Sequence, residues 1–161
     1  MAPRLVWFRR DLRLADNEAL TAACADGEVV PLYVFDEEGP THGYAMGAAQ
    51  RWWLHHSLKA LNEALDGRLV LRRGKADQVV REAVAEVGAI EVHATRLYEP
   101  WSIVAEEALA DLVTFHDGEC LVPPRYVVTG SGTPFKVYGA FWSALTGHLP
   151  PADPMPGPER I

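Results

Sequence analysis

Apolar residues fall into two alternating rhythms along this chain. A short continuous apolar run at 5–8 predicts a strand covered on both faces, which has no polar side to alternate with, and 29–35 is a second apolar strand; 68–71, 90–94 and 112–115 read as three further strands. Between them, apolar positions recur at helical spacing. The pair Asp16-Asn17 offers an N-cap ahead of a helix at 18–23, which Gly27 closes. Leu54, Leu58, Leu61 and Leu65 form the buried stripe expected of a long helix over about 47–65. Val80, Ala83, Val84 and Val87 line a third helix, and a fourth is expected around 104–109.

Strands separated by helices imply right-handed crossovers and a parallel sheet with helices on both faces. The expected fold is a doubly wound, five-stranded α/β domain of Rossmann-like type over residues 1–120. Residues 121–161 differ in character. Pro123-Pro124 breaks regular structure, 130–134 is a turn-rich loop, and 138–145 is a short amphipathic segment carrying Phe141 and Trp142. The proline-rich end, 150–158, reads as an interdomain linker or an extended crossing segment. A linker there would lead to a second domain, so the chain reads as a fragment.

In open parallel sheets, ligands sit beyond the carboxyl ends of the strands, near the switch in strand order. Here those ends carry Phe8 to Asp11, Phe35 to Glu37, Arg72 to Gly74, Thr95 to Glu99 and His116 to Gly118. Guanidinium groups, carboxylates and rings together suit a flat, polar heterocycle, held by its edge and stacked on its face. The first strand-to-helix turn, 8–16, contains no glycine. A pyrophosphate cradle needs glycine there for close backbone approach, which argues against a nicotinamide-dinucleotide dehydrogenase. Gly130 and Gly132 follow the sheet and read as a flexible turn. His55 and His56 lie about 100° apart around a helix and cannot share one metal on one face. The acidic run Asp36-Glu37-Glu38 reads as a solvated loop, and no Ser-His-Asp set stands out. Trp52, Trp53, Trp101 and Trp142 read as core or interface packing rather than base-stacking platforms.

Composition narrows the partners. The chain has 161 residues, a formal net charge of −7, 48% apolar and 23% charged residues. An acidic chain lacks the basic face that a free-standing nucleic-acid binder needs, although Arg4, Arg9, Arg10 and Arg13 crowd its start. Cys24 and Cys120 are too far apart in sequence to suggest a disulfide framework or a zinc site. With no signal peptide and no membrane-length apolar run, the expected location is the cytoplasm, away from membranes.

Several blocks resemble the photolyase and cryptochrome family. Val6-Trp7-Phe8-Arg9-Arg10-Asp11-Leu12-Arg13-Leu14-Ala15-Asp16-Asn17 resembles its opening signature. The likeness continues through Val30-Pro31-Leu32-Tyr33-Val34-Phe35-Asp36, Arg51-Trp52-Trp53-Leu54-His55-His56-Ser57-Leu58 and Tyr98-Glu99-Pro100-Trp101. It ends in Thr129-Gly130-Ser131-Gly132-Thr133-Pro134-Phe135-Lys136-Val137-Tyr138-Gly139-Ala140-Phe141-Trp142. The resemblance implies the N-terminal antenna domain of a deoxyribodipyrimidine photo-lyase, an enzyme that repairs pyrimidine dimers in DNA by light-driven electron transfer from reduced FAD. It equally admits a cryptochrome, which signals with the same flavin. The FAD and the face that meets damaged DNA belong to a following helical domain, so this fragment alone is expected to be inactive, with that domain as its partner. A stand-alone nucleotide-binding module is the remaining alternative.

The same resemblance implies a light-harvesting chromophore in the α/β domain. Carried over by position, its site comprises Arg9, Arg10, Asp11 and Leu12 with Phe35, Asp36 and Glu37, and further candidates in Arg51, Tyr98 and Glu99. Two of these have simpler readings: Asp11 pairing with Arg13 to order the turn, and Phe35 as plain core. Folate-using relatives have an Asn-Glu pair where this chain has Trp101-Ser102. That departure favours a deazaflavin or a flavin over a folate, or an empty site.

Overall fold

Burial on both faces accounts for the apolar runs at 5–8 and 29–35, whereas the edge strand at 70–73 is largely exposed. The computed structural model describes residues 2–25, 27–36 and 46–161. In it, β1 (Arg4–Phe8), β2 (Val29–Phe35), β3 (Val70–Arg73), β4 (Glu91–Thr95) and β5 (Val113–His116) form one sheet. All pairings are parallel and the order is β3-β2-β1-β4-β5. Alternate residues of β1 serve opposite cores: Leu5 and Trp7 face one side, Val6 and Phe8 the other. The doubly wound α/β fold read from the sequence is therefore the fold of the chain.

Four helices make the crossovers: α1 (Glu18–Cys24), α2 (Ala48–Ala64), α3 (Ala76–Val87) and α4 (Pro100–Ala108). Asn17 caps α1 by accepting a hydrogen bond from the Leu20 amide at 3.0 Å. Gly88 ends α3 at φ 63°, a left-handed conformation that costs other residues more. Two boundaries differ from the sequence reading. β3 begins at Val70 rather than 68, because Arg68 and Leu69 close the end of α2 through Leu65 O and Asn62 Oδ1. α4 begins at Pro100 rather than near 104, since proline at a first helical position has the right φ and no amide to satisfy.

The leucine stripe of α2 is buried at Leu58, Leu61 and Leu65, with Leu54 half-buried. Trp52 and Trp53 are not part of the core of this domain: they are 61% and 69% exposed. Both precede the turns where α2 meets the sheet; Trp52 packs against its helix neighbours, with its ring 4.3 Å from that of His56.

Beyond β5, a short 3-10 turn at Pro124–Tyr126 leads to α5 (Tyr138–Thr146), none of whose residues is buried. The Gly130–Gly132 loop is no loose turn, since Thr129 N donates to Thr133 O at 2.8 Å and three hydroxyls knit it together. The proline-rich end crosses the body of the domain. Asp16 N donates to Met155 O at 2.8 Å, Gly157 lies against the backbone of Leu14 and Ala15, and Ile161 packs on the α1–α2 core.

Candidate functional site

The carboxyl ends of β1, β2 and β3 open into a crevice of about 770 Å³. Its walls come from both faces of the sheet. Phe8, Tyr33 and Leu58 line it on the α2 side, Trp7, Leu97 and Trp101 on the α4 side. α2 buries its leucines fully only from Leu58 onward, with Leu54 half-buried at the crevice wall. Polar groups enter from several elements, among them Arg10, Asp36, Arg51, Lys59, Asn62 and Arg73. Size, apolar walls and a few convergent polar groups are the usual attributes of a small-molecule site. A shallower groove adjoins it, between the β1–α1 turn and α2, with Leu12, Arg13 and Trp53 on its sides.

Of the residues singled out by sequence, Arg9, Arg10, Phe35, Asp36 and Arg51 line the crevice, and Leu12 lines the groove beside it. Glu37 lies outside the described residues. Phe35 also packs edge-on to Tyr33, with ring centroids 5.0 Å apart.

Asp11 has another task. It is 3% exposed, and its carboxylate accepts from Thr95 Oγ1 at 2.6 Å, Asn17 Nδ2 at 3.1 Å and the Arg9 amide at 2.9 Å. That network holds the glycine-free turn in shape and ties it to β4. The ion pair expected between Asp11 and Arg13 is absent; Arg13 instead lies 3.9 Å from Asp16 and donates to Gly118 O.

Arg9 is held as tightly. Its Nη1 donates to Glu106 at 2.6 Å and to Thr95 O at 3.1 Å, and its guanidinium stacks 4.6 Å over the Trp7 ring. Glu106, 4% exposed on α4, also accepts from the Leu97 amide at 2.8 Å and from Arg96 at 3.2 Å. Burial lowers the Arg9 pKa from its ordinary value, and the neighbouring Glu106 opposes that shift. Removing Glu106 would strand the Arg9 charge in a low-dielectric wall. The sequence reading used Asn17 only as a helix cap, and the roles of Thr95 and Glu106 escaped it. A lone Thr or Glu in an element carries no local signal of a partner 84 or 97 residues away.

Tyr98 and Glu99 do not line the crevice; they brace its rim. The Tyr98 hydroxyl donates to Asp117 at 3.3 Å, and Asp117 also pairs with Arg125. Burial and the Asp117 charge push the tyrosine pKa up to about 12. Arg125 in turn holds the Asp117 carboxyl below the ordinary carboxylate range. Glu99 pairs with Arg10.

This geometry can be set against known proteins. A family model described as DNA photolyase matches residues 4–159. The chain belongs to the DNA photolyase family. It is 41% identical over 172 residues to a deoxyribodipyrimidine photo-lyase of Agrobacterium fabrum, covering 99% of this chain and 35% of that protein. It is 34% identical to cryptochrome-1 of Arabidopsis thaliana, covering 98% of this chain and 25% of the relative. A crystal structure of a bacterial class III photolyase from Agrobacterium tumefaciens superposes with a TM-score of 0.85 at 40% identity, over 100% of this chain and 35% of that one. The photolyase-family chain thus corresponds to the N-terminal α/β domain of these proteins and spans about a third or less of their length. Among its described residues, no helix is long and apolar enough to cross a membrane.

Proposed function

We propose that this photolyase-family domain is the light-harvesting half of a deoxyribodipyrimidine photo-lyase and holds a flat chromophore in the crevice above β1, β2 and β3. The observation that carries the reading is the crevice itself: a ring-lined, partly cationic cleft at the carboxyl ends of the strands, in a chain 41% identical to a photo-lyase. A deazaflavin or a flavin fits better than a folate, because Trp101 and Ser102 line the cleft at the position where folate-using relatives differ. Such a group supplies absorption of light and transfer of excitation.

The protein's own residues would hold the group. Trp101, Tyr33 and Phe35 offer ring faces, while Arg10, Arg51 and Asn62 offer donors for the polar edge. Arg9, braced by Glu106, would keep the inner wall rigid. In this reading the FAD, and the surface that meets damaged DNA, lie in the part of the photolyase architecture outside this chain. The chain by itself is then inactive in repair, and its partner is that helical domain. Light signalling of the cryptochrome kind is the second reading, favoured by the 34% identity to cryptochrome-1.

Mixing the chain with riboflavin, or with a hydroxylated deazariboflavin, tests the site. Binding should quench the tryptophan emission, and Leu58→Trp, which fills the crevice, should abolish it. An unchanged emission with both compounds would remove the chromophore site from the proposal. To separate repair from signalling, a chain of the relatives' length, loaded with FAD, would be illuminated with dimer-containing DNA; failure to repair favours the cryptochrome reading.

A further inference from the structure

Away from the crevice, under α1, two histidines meet. His93 on β4 and His116 at the end of β5 approach with Nδ1 of the first 2.9 Å from Nε2 of the second. His93 is buried, and its Nε2 has no hydrogen-bond partner of good geometry. Glu91 Oε2 lies 3.5 Å from that atom. Arg4 on β1 pairs with the same carboxylate and holds its pKa low, so Glu91 stays ionised. Just beyond β5 the neighbouring charge is Asp117. α1 covers this part of the sheet and carries two titratable groups of its own, Glu18 and Cys24.

These neighbours decide where the ring protons lie. A carboxylate 3.5 Å from a ring nitrogen repels a lone pair and attracts an N–H. The His93 proton therefore sits on Nε2, which leaves Nδ1 bare. A bare Nδ1 needs a donor, and His116 Nε2–H is in place to be one. Both rings are then Nε2–H tautomers, and the open position for an added proton is His116 Nδ1. A proton there makes His116 a cation whose Nε2–H still donates to His93, so the bond becomes charge-assisted and stronger. A second proton has to enter at His93 Nδ1, which places two N–H groups head to head and breaks the contact.

We propose that His93 and His116 form a one-proton latch, which holds β5 to β4 in its neutral and singly protonated states and releases the strand when both rings are charged. The release would reach the rim. The His116 carbonyl accepts the Arg96 amide at 2.7 Å, and the next residue, Asp117, carries the Tyr98 and Arg125 contacts. Burial lowers the pKa of both rings, and the charge of His93 lowers that of His116 further, in keeping with a pair that resists double protonation.

Imidazole nitrogen spectra of the whole chain, taken from about pH 8 to about pH 4 with backbone amide exchange, test the latch. Both rings should be Nε2–H tautomers at the alkaline end. The first proton should enter at His116 Nδ1 without loss of amide protection in β5. The second step should need roughly tenfold more acid, one pH unit, and coincide with loss of that protection. His116→Phe should abolish the two-step behaviour and let His93 titrate alone. An Nδ1–H tautomer for His93, or two independent titrations with β5 protection unchanged, would overturn the proposal. If the His116→Phe chain does not fold, the wild-type tautomers and titration steps decide it unaided.

Discussion

On one face of the sheet, α3 sends Ala76, Val79, Val80 and Ala83 against Leu5, Trp7, Leu32 and Val92, with Leu109 closing the layer. On the other, α2 reaches the strands with Leu58, Leu61 and Leu65, while Trp52 and Trp53 stand in solvent. Both helices are amphipathic, so pattern alone does not separate them. The difference lies in how much of each helix touches the sheet. Close contact along α3 is helped by Gly74, where a Cβ would come within 3.0 Å of Val79. The early turns of α2 have no such approach, and the gap beneath them joins the crevice. A layer its own side chains can fill becomes core; one they leave open at the carboxyl ends of strands becomes a site.

The contrast can be broken in several ways. Leu109→Ala opens a void in the filled layer and should cost about 3 kcal/mol in denaturant unfolding, whereas Leu54→Ala beside the crevice should cost under about 1 kcal/mol. Equal losses would mean that the two faces are packed alike. Asp11→Ala leaves Thr95 Oγ1, Asn17 Nδ2 and the Arg9 amide without their acceptor, and should also cost about 3 kcal/mol. The conservative Asp11→Asn should lower stability without altering flavin binding; a loss of binding at full stability would make Asp11 part of the site after all. A ligand at about a hundred times its dissociation constant should add roughly 2.7 kcal/mol. Its gain in amide protection should be concentrated in α2, and protection spread evenly over both faces would count against a half-filled layer.

Acid should act on the sheet between the two layers. His93 and His116 have native pKa values lowered by burial, so the unfolded chain takes up protons first. Stability is full above the unfolded value of about 6.5 and declines as pH falls toward the native values. A urea midpoint that holds steady from about pH 7 to about pH 5 would contradict those shifts. The smallest effect belongs to the solvent side of α2: Trp52→Ala should change stability by less than about 0.5 kcal/mol, checked by thermal melting.

Much of the scaffold was legible from local pattern. Apolar runs marked β1 and β2, Asn17 marked the start of α1, and the leucine stripe of α2 marked its buried side. The glycine-free turn argued against a dinucleotide cradle, and its residues Arg9 and Arg10 do reach the crevice. The role of Asp11 was not legible, because an aspartate in a polar turn looks the same whether it faces solvent or Thr95. Tyr98 and Glu99 lie at a strand end, where ligands are expected, yet they brace the rim through Asp117 and Arg10. The proline-rich end had no local sign that Met155 would bond to Asp16 or that Ile161 would join the core.

The sequence by itself determined the alternation of strands and helices, the parallel sheet and the family, since periodicity, caps and motif order depend on residues close together in the chain. Only the tertiary structure decided which charges are spent on one another. Arg9 with Glu106, Asp11 with Thr95 and His93 with His116 join residues 97, 84 and 23 positions apart. Pairing at such separations is set by crossover geometry and strand register, and no stretch of sequence contains both partners.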